Sequence, residues 1–137
     1  MTRPTENSLF ATLDATWPPA RFHDTGPWRL REGCGGGQRV SAATPLSRFS
    51  RSDVQIAEEE MHKLGQHALF MIRGEDAPLD EILAERGYAV VDPVTLYLAE
   101  AARLAGELPF AMAFPSWSNA VLRQRGGCRP PRSFGRQ

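Results

Sequence analysis

The chain has 137 residues and a mass of 15.2 kDa, enough for one domain with a single modest core. Sixteen basic residues balance sixteen acidic ones, so no global field draws it to nucleic acid or to an anionic membrane. At 42% hydrophobic and 23% charged it is too apolar for full disorder, and no apolar run approaches the ~18 residues of a membrane span. The first residues, Met1 to Glu6, lack the apolar core of a secretory signal, which points to the cytoplasm. The two cysteines, Cys34 and Cys128, make no disulfide framework, and no Cys/His spacing suits zinc, so no metal site is expected.

In chain order, Ser8–Trp17 places Leu9, Phe10, Leu13 and Trp17 on one helical face, and Pro18-Pro19 stops it. Trp28–Glu32 alternates as a half-buried strand. Gly33-Cys34-Gly35-Gly36-Gly37 is a flexible turn, and Gln38–Thr44 returns as the second strand of a hairpin. Ser52-Asp53-Val54-Gln55 fits a capping box opening a helix in which Val54, Ala57, Met61 and Leu64 form the buried stripe. Glu58-Glu59-Glu60 falls on its solvated face, and Gly65 ends it. Ala68–Ile72 is continuously apolar and suits a strand buried on both faces. Asp76 caps a second helix with Pro78 in its first turn and Leu79, Ile82 and Leu83 buried; Gly87 ends that helix. Tyr88–Val91 and Val94–Leu98 are strand-like around Asp92-Pro93, where proline demands a bulge or an edge. Residues 100–107 extend as a weak helix. Leu108–Trp117 is apolar, aromatic and proline-broken, and is expected to seek cover from another surface.

The expected fold class is α/β, a mixed β-sheet flanked by helices. Two parts are expected: a lobe over residues 1–117 and a disordered Arg/Gly/Pro-rich tail over 118–137. Residues 121–137 carry five arginines and no acid, so residues 1–120 hold 11 basic against 16 acidic groups. The tail reads as an unstructured end, as the product of a shifted reading frame in GC-rich coding, or as a basic arm. Phe134 is its one aromatic residue, so base stacking has little support and nucleic acid is not expected as a partner.

This order, with Leu79–Gly87-Tyr88 running into a strand, resembles the GNAT superfamily of acyl-CoA-dependent N-acyltransferases, and more narrowly the N-terminal lobe of bacterial acetyltransferases that carry a second, C-terminal GNAT domain. The resemblance spans residues 8–117 as a whole pattern. It implies a strand over Val40–Thr44, a pyrophosphate-side helix over Ser52–Leu64, and Gly87-Tyr88 as the glycine-aromatic step. It also implies acetyl-CoA as co-substrate, with Arg48, Arg51 and Ser52 as the residues that would hold the pyrophosphate. Two departures bear on activity. The family loop Arg/Gln-x-x-Gly-x-Gly/Ala, whose amides close on the pyrophosphate, is here Pro45–Ser52 without a glycine. The family tyrosine that protonates the leaving thiolate, four residues before the helix-ending glycine, is here Leu83, which cannot act as an acid. The expectation is therefore a truncated or non-catalytic lobe with no catalytic residue of its own, no acetyl-CoA bound by this chain alone, and a catalytic GNAT lobe or a second copy as partner. The rivals are a complete small acetyltransferase, in which backbone amides of the second hairpin strand polarise the thioester, and a non-enzymatic module docking through residues 108–117 or binding nucleic acid through the tail. Cys34 as a nucleophile, with His23, His62 or His67 as base, has no spacing to support it.

Overall fold

The computed structural model describes the backbone of residues 3–104 and 118–125 and the side chains of residues 3–103. It is mixed α/β. The elements in order are α1 (Glu6–Thr16), β1 (Arg21–Thr25), β2 (Trp28–Glu32), β3 (Thr44–Pro45), α2 (Asp53–Lys63), β4 (Leu69–Ile72), α3 (Ala77–Glu85), β5 (Tyr88–Leu96), α4 (Ala101–Leu104) and β6 (Ser118–Arg125). A 3-10 turn at Arg39–Ser41 lies between β2 and β3.

The strands form two antiparallel three-stranded sheets, ordered β1-β2-β3 and β4-β6-β5. A single parallel bridge, Ala43 opposite Phe70, joins them. The hairpin is β1–β2, not the expected pairing of 28–32 with 38–44. Its turn is Gly26-Pro27, where Gly26 takes a positive φ of 55° and proline supplies the fixed negative φ that follows. The segment expected as the returning strand makes the 3-10 turn first and pairs with β2 only at Thr44 and Pro45.

α2 and α3 follow their apolar periods in the main. Val54, Ala57 and Met61 are buried on α2 and Leu79 and Leu83 on α3, whereas Leu64 and Ile82, expected in the same stripes, are half-buried. Gly65 at φ 71° closes α2 as a Schellman motif: Gln66 N–H donates to Met61 O (2.9 Å) and Gly65 N–H to His62 O (2.9 Å). The capping box does not form. Ser52 is already helical, and Asp53 Oδ2 instead accepts from Ser50 N–H (2.6 Å) and Ser50 Oγ (2.8 Å). Asp76 is likewise not a side-chain cap; its carboxylate turns back to Arg73.

β4 is buried at every residue, as its unbroken apolar run required. β5 runs through Asp92-Pro93 as the outer strand, with a register shift between Val90 and Asp92, so the bulge and the edge occur together. Ser118–Arg125, assigned to the disordered tail in the sequence reading, is a strand between β4 and β5; Leu69 pairs with Gln124 and Tyr88 with Arg125. Residues 126–137 and the apolar stretch 108–117 lie outside the described residues.

The main core lies between the sheets and α2/α3, around Trp28, Leu30, Met61, Phe70, Leu79 and Leu83. An aromatic row crosses the seam: Phe49 to Trp28 at 5.2 Å, Trp28 to Phe70 at 5.4 Å and Phe70 to Tyr88 at 5.6 Å between centroids. A smaller cluster of Phe10, Ala42, Leu69 and Met71 lies under α1. Trp17, expected on the buried face of α1, is 57% exposed and stacks against Arg39.

Candidate functional site

In an open sheet built of βα units, ligands collect beyond the carboxyl ends of strands at a topological switch point. By analogy, the candidate site here is the seam where the two antiparallel sheets meet. β3 leads into α2, β4 leads into α3, and Ala43, just before β3, forms a parallel bridge with Phe70 of β4. Trp28 Nε1–H donates to Asp53 O (2.7 Å), which fixes the start of α2 against the hairpin strand.

The three residues expected to meet pyrophosphate lie in the turn before α2. Arg48, Arg51 and Ser52 are all exposed. Arg51 pairs with Glu85 at the end of α3; this hydrogen bond and charge raise the Arg51 guanidinium above its ordinary value and hold the Glu85 carboxyl below its own. Ser52 Oγ shares a hydrogen bond with Ser50 Oγ (2.8 Å). The Asp53 carboxylate occupies the first turn, held below the usual carboxylate range by the Ser50 backbone N–H and then by the Ser50 hydroxyl. Arg48 alone of the three makes no ion pair or hydrogen bond among the described residues. The helix start that would receive an anion thus carries its own carboxylate, and one of its two arginines is neutralised.

Leu83 is fully buried among the core residues. A tyrosine at that position would have to enter the core. Of Val40–Thr44, the strand whose amides were expected to polarise a thioester, Val40 and Ser41 lie in the 3-10 turn and only Thr44 belongs to β3.

Glu58 departs from the expected solvated face. Its side chain is 15% exposed and accepts from Arg86 Nη2 (2.7 Å) and from the Tyr88 hydroxyl (2.6 Å). The sequence held a signal for this: Glu58 follows Ala57 and lies four residues after Val54, at the border of the buried stripe. Arg86 Nε is buried without a hydrogen-bond partner among the described residues.

The glycine cluster is held, not loose. Gly33 N–H donates to Gln66 Oε1 (2.7 Å), and Gln66 Nε2 donates to Arg31 O (2.8 Å). A Cβ on Gly33 would lie 2.0 Å from Ser41 Oγ. Cys34 is exposed at φ 46°, with Sγ 3.9 Å from Glu32 Oε1. His23 Nε2 lies 2.8 Å from the other Glu32 oxygen, so the acid stands between thiol and imidazole and the imidazole is not the thiol's partner. His62 and His67 are not brought to Cys34 by any hydrogen bond. Among the described residues no group of three His, Cys, Asp or Glu side chains is placed to hold a metal, and no helix is long and apolar enough to cross a membrane.

Comparisons with protein-family models, with curated proteins and with solved structures found no match to this chain.

Proposed function

We propose that this chain is a GNAT-like α/β lobe related to the acyl-CoA-dependent N-acyltransferases, that it does not transfer acyl groups alone, and that it serves by packing against a catalytic GNAT lobe or a second copy of itself. The relationship is supported by the element order and by the seam where the two sheets meet, with a helix following β3 and another following β4. The observation that carries the non-catalytic part is the start of α2. A diphosphate arriving there meets the Asp53 carboxylate and an Arg51 already committed to Glu85. In the full-length family, an amine attacks the acetyl-CoA thioester in the catalytic domain; this lobe would bury the shared surface and shape the acceptor side.

The test is a thermal-shift titration with acetyl-CoA together with an assay for released thiol. A ligand at 100 times its dissociation constant adds ~2.7 kcal/mol, so binding is readily seen. No shift and no thiol release are expected. A saturable shift or turnover by the purified chain overturns the reading.

A non-enzymatic interaction module is the second reading. It is favoured by β5, where Val90, Val91 and neighbouring Tyr97 are exposed. The two readings separate by partner: a catalytic GNAT domain supplied in trans gains activity from this chain only under the first. If this module binds nucleic acid through its tail, deleting residues 126–137, which follow β6, weakens salt-sensitive binding.

A further inference from the structure

At the seam, the parallel ladder runs for one residue and stops. Ala43 N–H donates to Leu69 O (2.9 Å) and Met71 N–H to Ala43 O (3.0 Å). Continued in register, it would set a residue-45 N–H on Met71 O and the Arg73 N–H on Pro45 O. Pro45 has no N–H to give. The Arg73 N–H goes instead to Asp76 Oδ2 (3.0 Å). The Pro45 carbonyl is met by the Arg73 side chain, through Nη2 at 3.2 Å. A guanidinium therefore takes the carbonyl that a backbone bond would otherwise engage in closing the sheet.

The same guanidinium is gripped by Asp76, Nε to Oδ2 at 2.8 Å and Nη2 to Oδ1 at 3.3 Å, and lies 5.9 Å from the Phe10 ring centroid. The Arg73 side chain is 15% exposed and that of Asp76 is 6% exposed, so each charge is withdrawn from water with the other as its main partner. Met71 turns its N–H toward β3; its carbonyl lies on the same edge of β4, and Pro45 offers it no donor.

We propose that Arg73 is an internal plug, its guanidinium filling a seam that would otherwise receive an extended amide-bearing chain hydrogen-bonded to Met71 O, with Asp76 as the catch that holds it. The proposal rests on the reading of the lobe as an acyltransferase-like frame, and it adds that the frame is closed from within as well as short of a phosphate cradle. An edge carbonyl beside a split sheet is recognised by main-chain-like amides, as in strand addition. Entry requires Arg73 to leave both Asp76 and Pro45.

The test uses pantetheine, an extended diamide without phosphate, titrated into the 15N-labelled full chain. The wild type is expected to show no saturable shifts at millimolar pantetheine. The double variant Arg73→Ala/Asp76→Ala, which removes both buried charges together, is expected to bind at least tenfold more tightly, with shifts at the Ala43 and Met71 amides. Equal affinity in both proteins, or no binding by a variant with native amide dispersion, overturns the plug. Should the double variant lose its dispersion, Asp76→Asn decides: it keeps an acceptor for the Arg73 N–H, releases the guanidinium and is expected to gain binding, and its failure to do so overturns the plug. Acetyl-CoA turnover by the wild type would defeat the non-catalytic reading, whereas the phosphate-free probe reports on Arg73 alone.

Discussion

Replacing Glu58 with alanine tests whether the carboxylate among the three consecutive glutamates is a structural acceptor. In the wild type it receives the hydroxyl of Tyr88, a residue 4% exposed, and a guanidinium nitrogen of Arg86, whose side chain is 31% exposed. Removing it takes away the carboxylate to which the Tyr88 hydroxyl donates, which costs about 1–3 kcal/mol. It also breaks a partly solvated ion pair worth about 0.5–1 kcal/mol. Alanine's better helix propensity returns a few tenths of a kcal/mol. The net expectation is a destabilisation of about 2–3 kcal/mol, read from urea unfolding followed by tryptophan fluorescence. At about 3–5 °C per kcal/mol for a chain of this size, Tm falls by roughly 6–15 °C. Tyr88→Phe alone should cost about 1 kcal/mol, and the double variant should cost about 1 kcal/mol less than the sum of the two. Glu59→Ala is the control, because exposed Glu59 accepts from Gln55 within the helix (2.8 Å). A Glu58→Ala protein within about 0.5 kcal/mol of wild type, with no coupling to Tyr88, would refute the reasoning.

Leu83→Tyr, which places at position 83 the tyrosine expected from the resemblance, should cost about 2–4 kcal/mol, since it overfills a fully buried position and buries a hydroxyl; stability by urea and thiol release from acetyl-CoA are measured together, and any gain in thiol release counts against the placement of residue 83. Gly33→Ala forces a Cβ against Ser41 Oγ and should cost about 1–3 kcal/mol, with partial recovery in the Gly33→Ala/Ser41→Gly protein; full stability of the single variant would show the loop to be slack. The Asp24 carboxyl is held below its ordinary value by hydrogen bonds from Arg29, against a smaller opposing effect of burial. Its stabilisation is therefore fully present above the unfolded carboxylate value and is lost as pH falls through the lower folded value. Asp24→Asn should flatten the acid limb of urea midpoint against pH and leave the neutral region parallel to wild type; an unchanged acid limb would contradict the pairing.

The parts legible in the sequence were those where one segment encodes its own boundaries. α2 carries its stripe and its closing Gly65 within fourteen residues, β4 is an unbroken apolar run, and Pro93 announces both an edge and a bulge. The errors came from choices settled by partners distant in sequence. Gln38–Thr44 has a strand-like pattern, but Gly26-Pro27 makes the tighter turn, so β1 takes β2 first. Ser52 and Asp76 have cap chemistry, yet the Ser52 hydroxyl pairs with Ser50 Oγ and the Asp76 carboxylate is taken by Arg73. β6 was hidden because arginine and glutamine fill positions 123–125, a composition that resembles a tail until two strands lie ready to pair with it. At the candidate site, the missing glycines and Leu83 were readable directly. That Glu85 neutralises Arg51, and that Arg73 stands in the seam, depends on helix ends and strand ends meeting across the fold.

The last strand among the described residues is the middle strand of its sheet. β4 and β5 are both synthesised before it, and neither has a neighbour in that sheet until residues 118–125 leave the ribosome. During that interval the nascent protein exposes two edges ready to pair with other chains. Vectorial synthesis thus makes this sheet dependent on residues 118–125, and premature termination before residue 118 would release a species prone to aggregate even though the first sheet and the four described helices had already been translated.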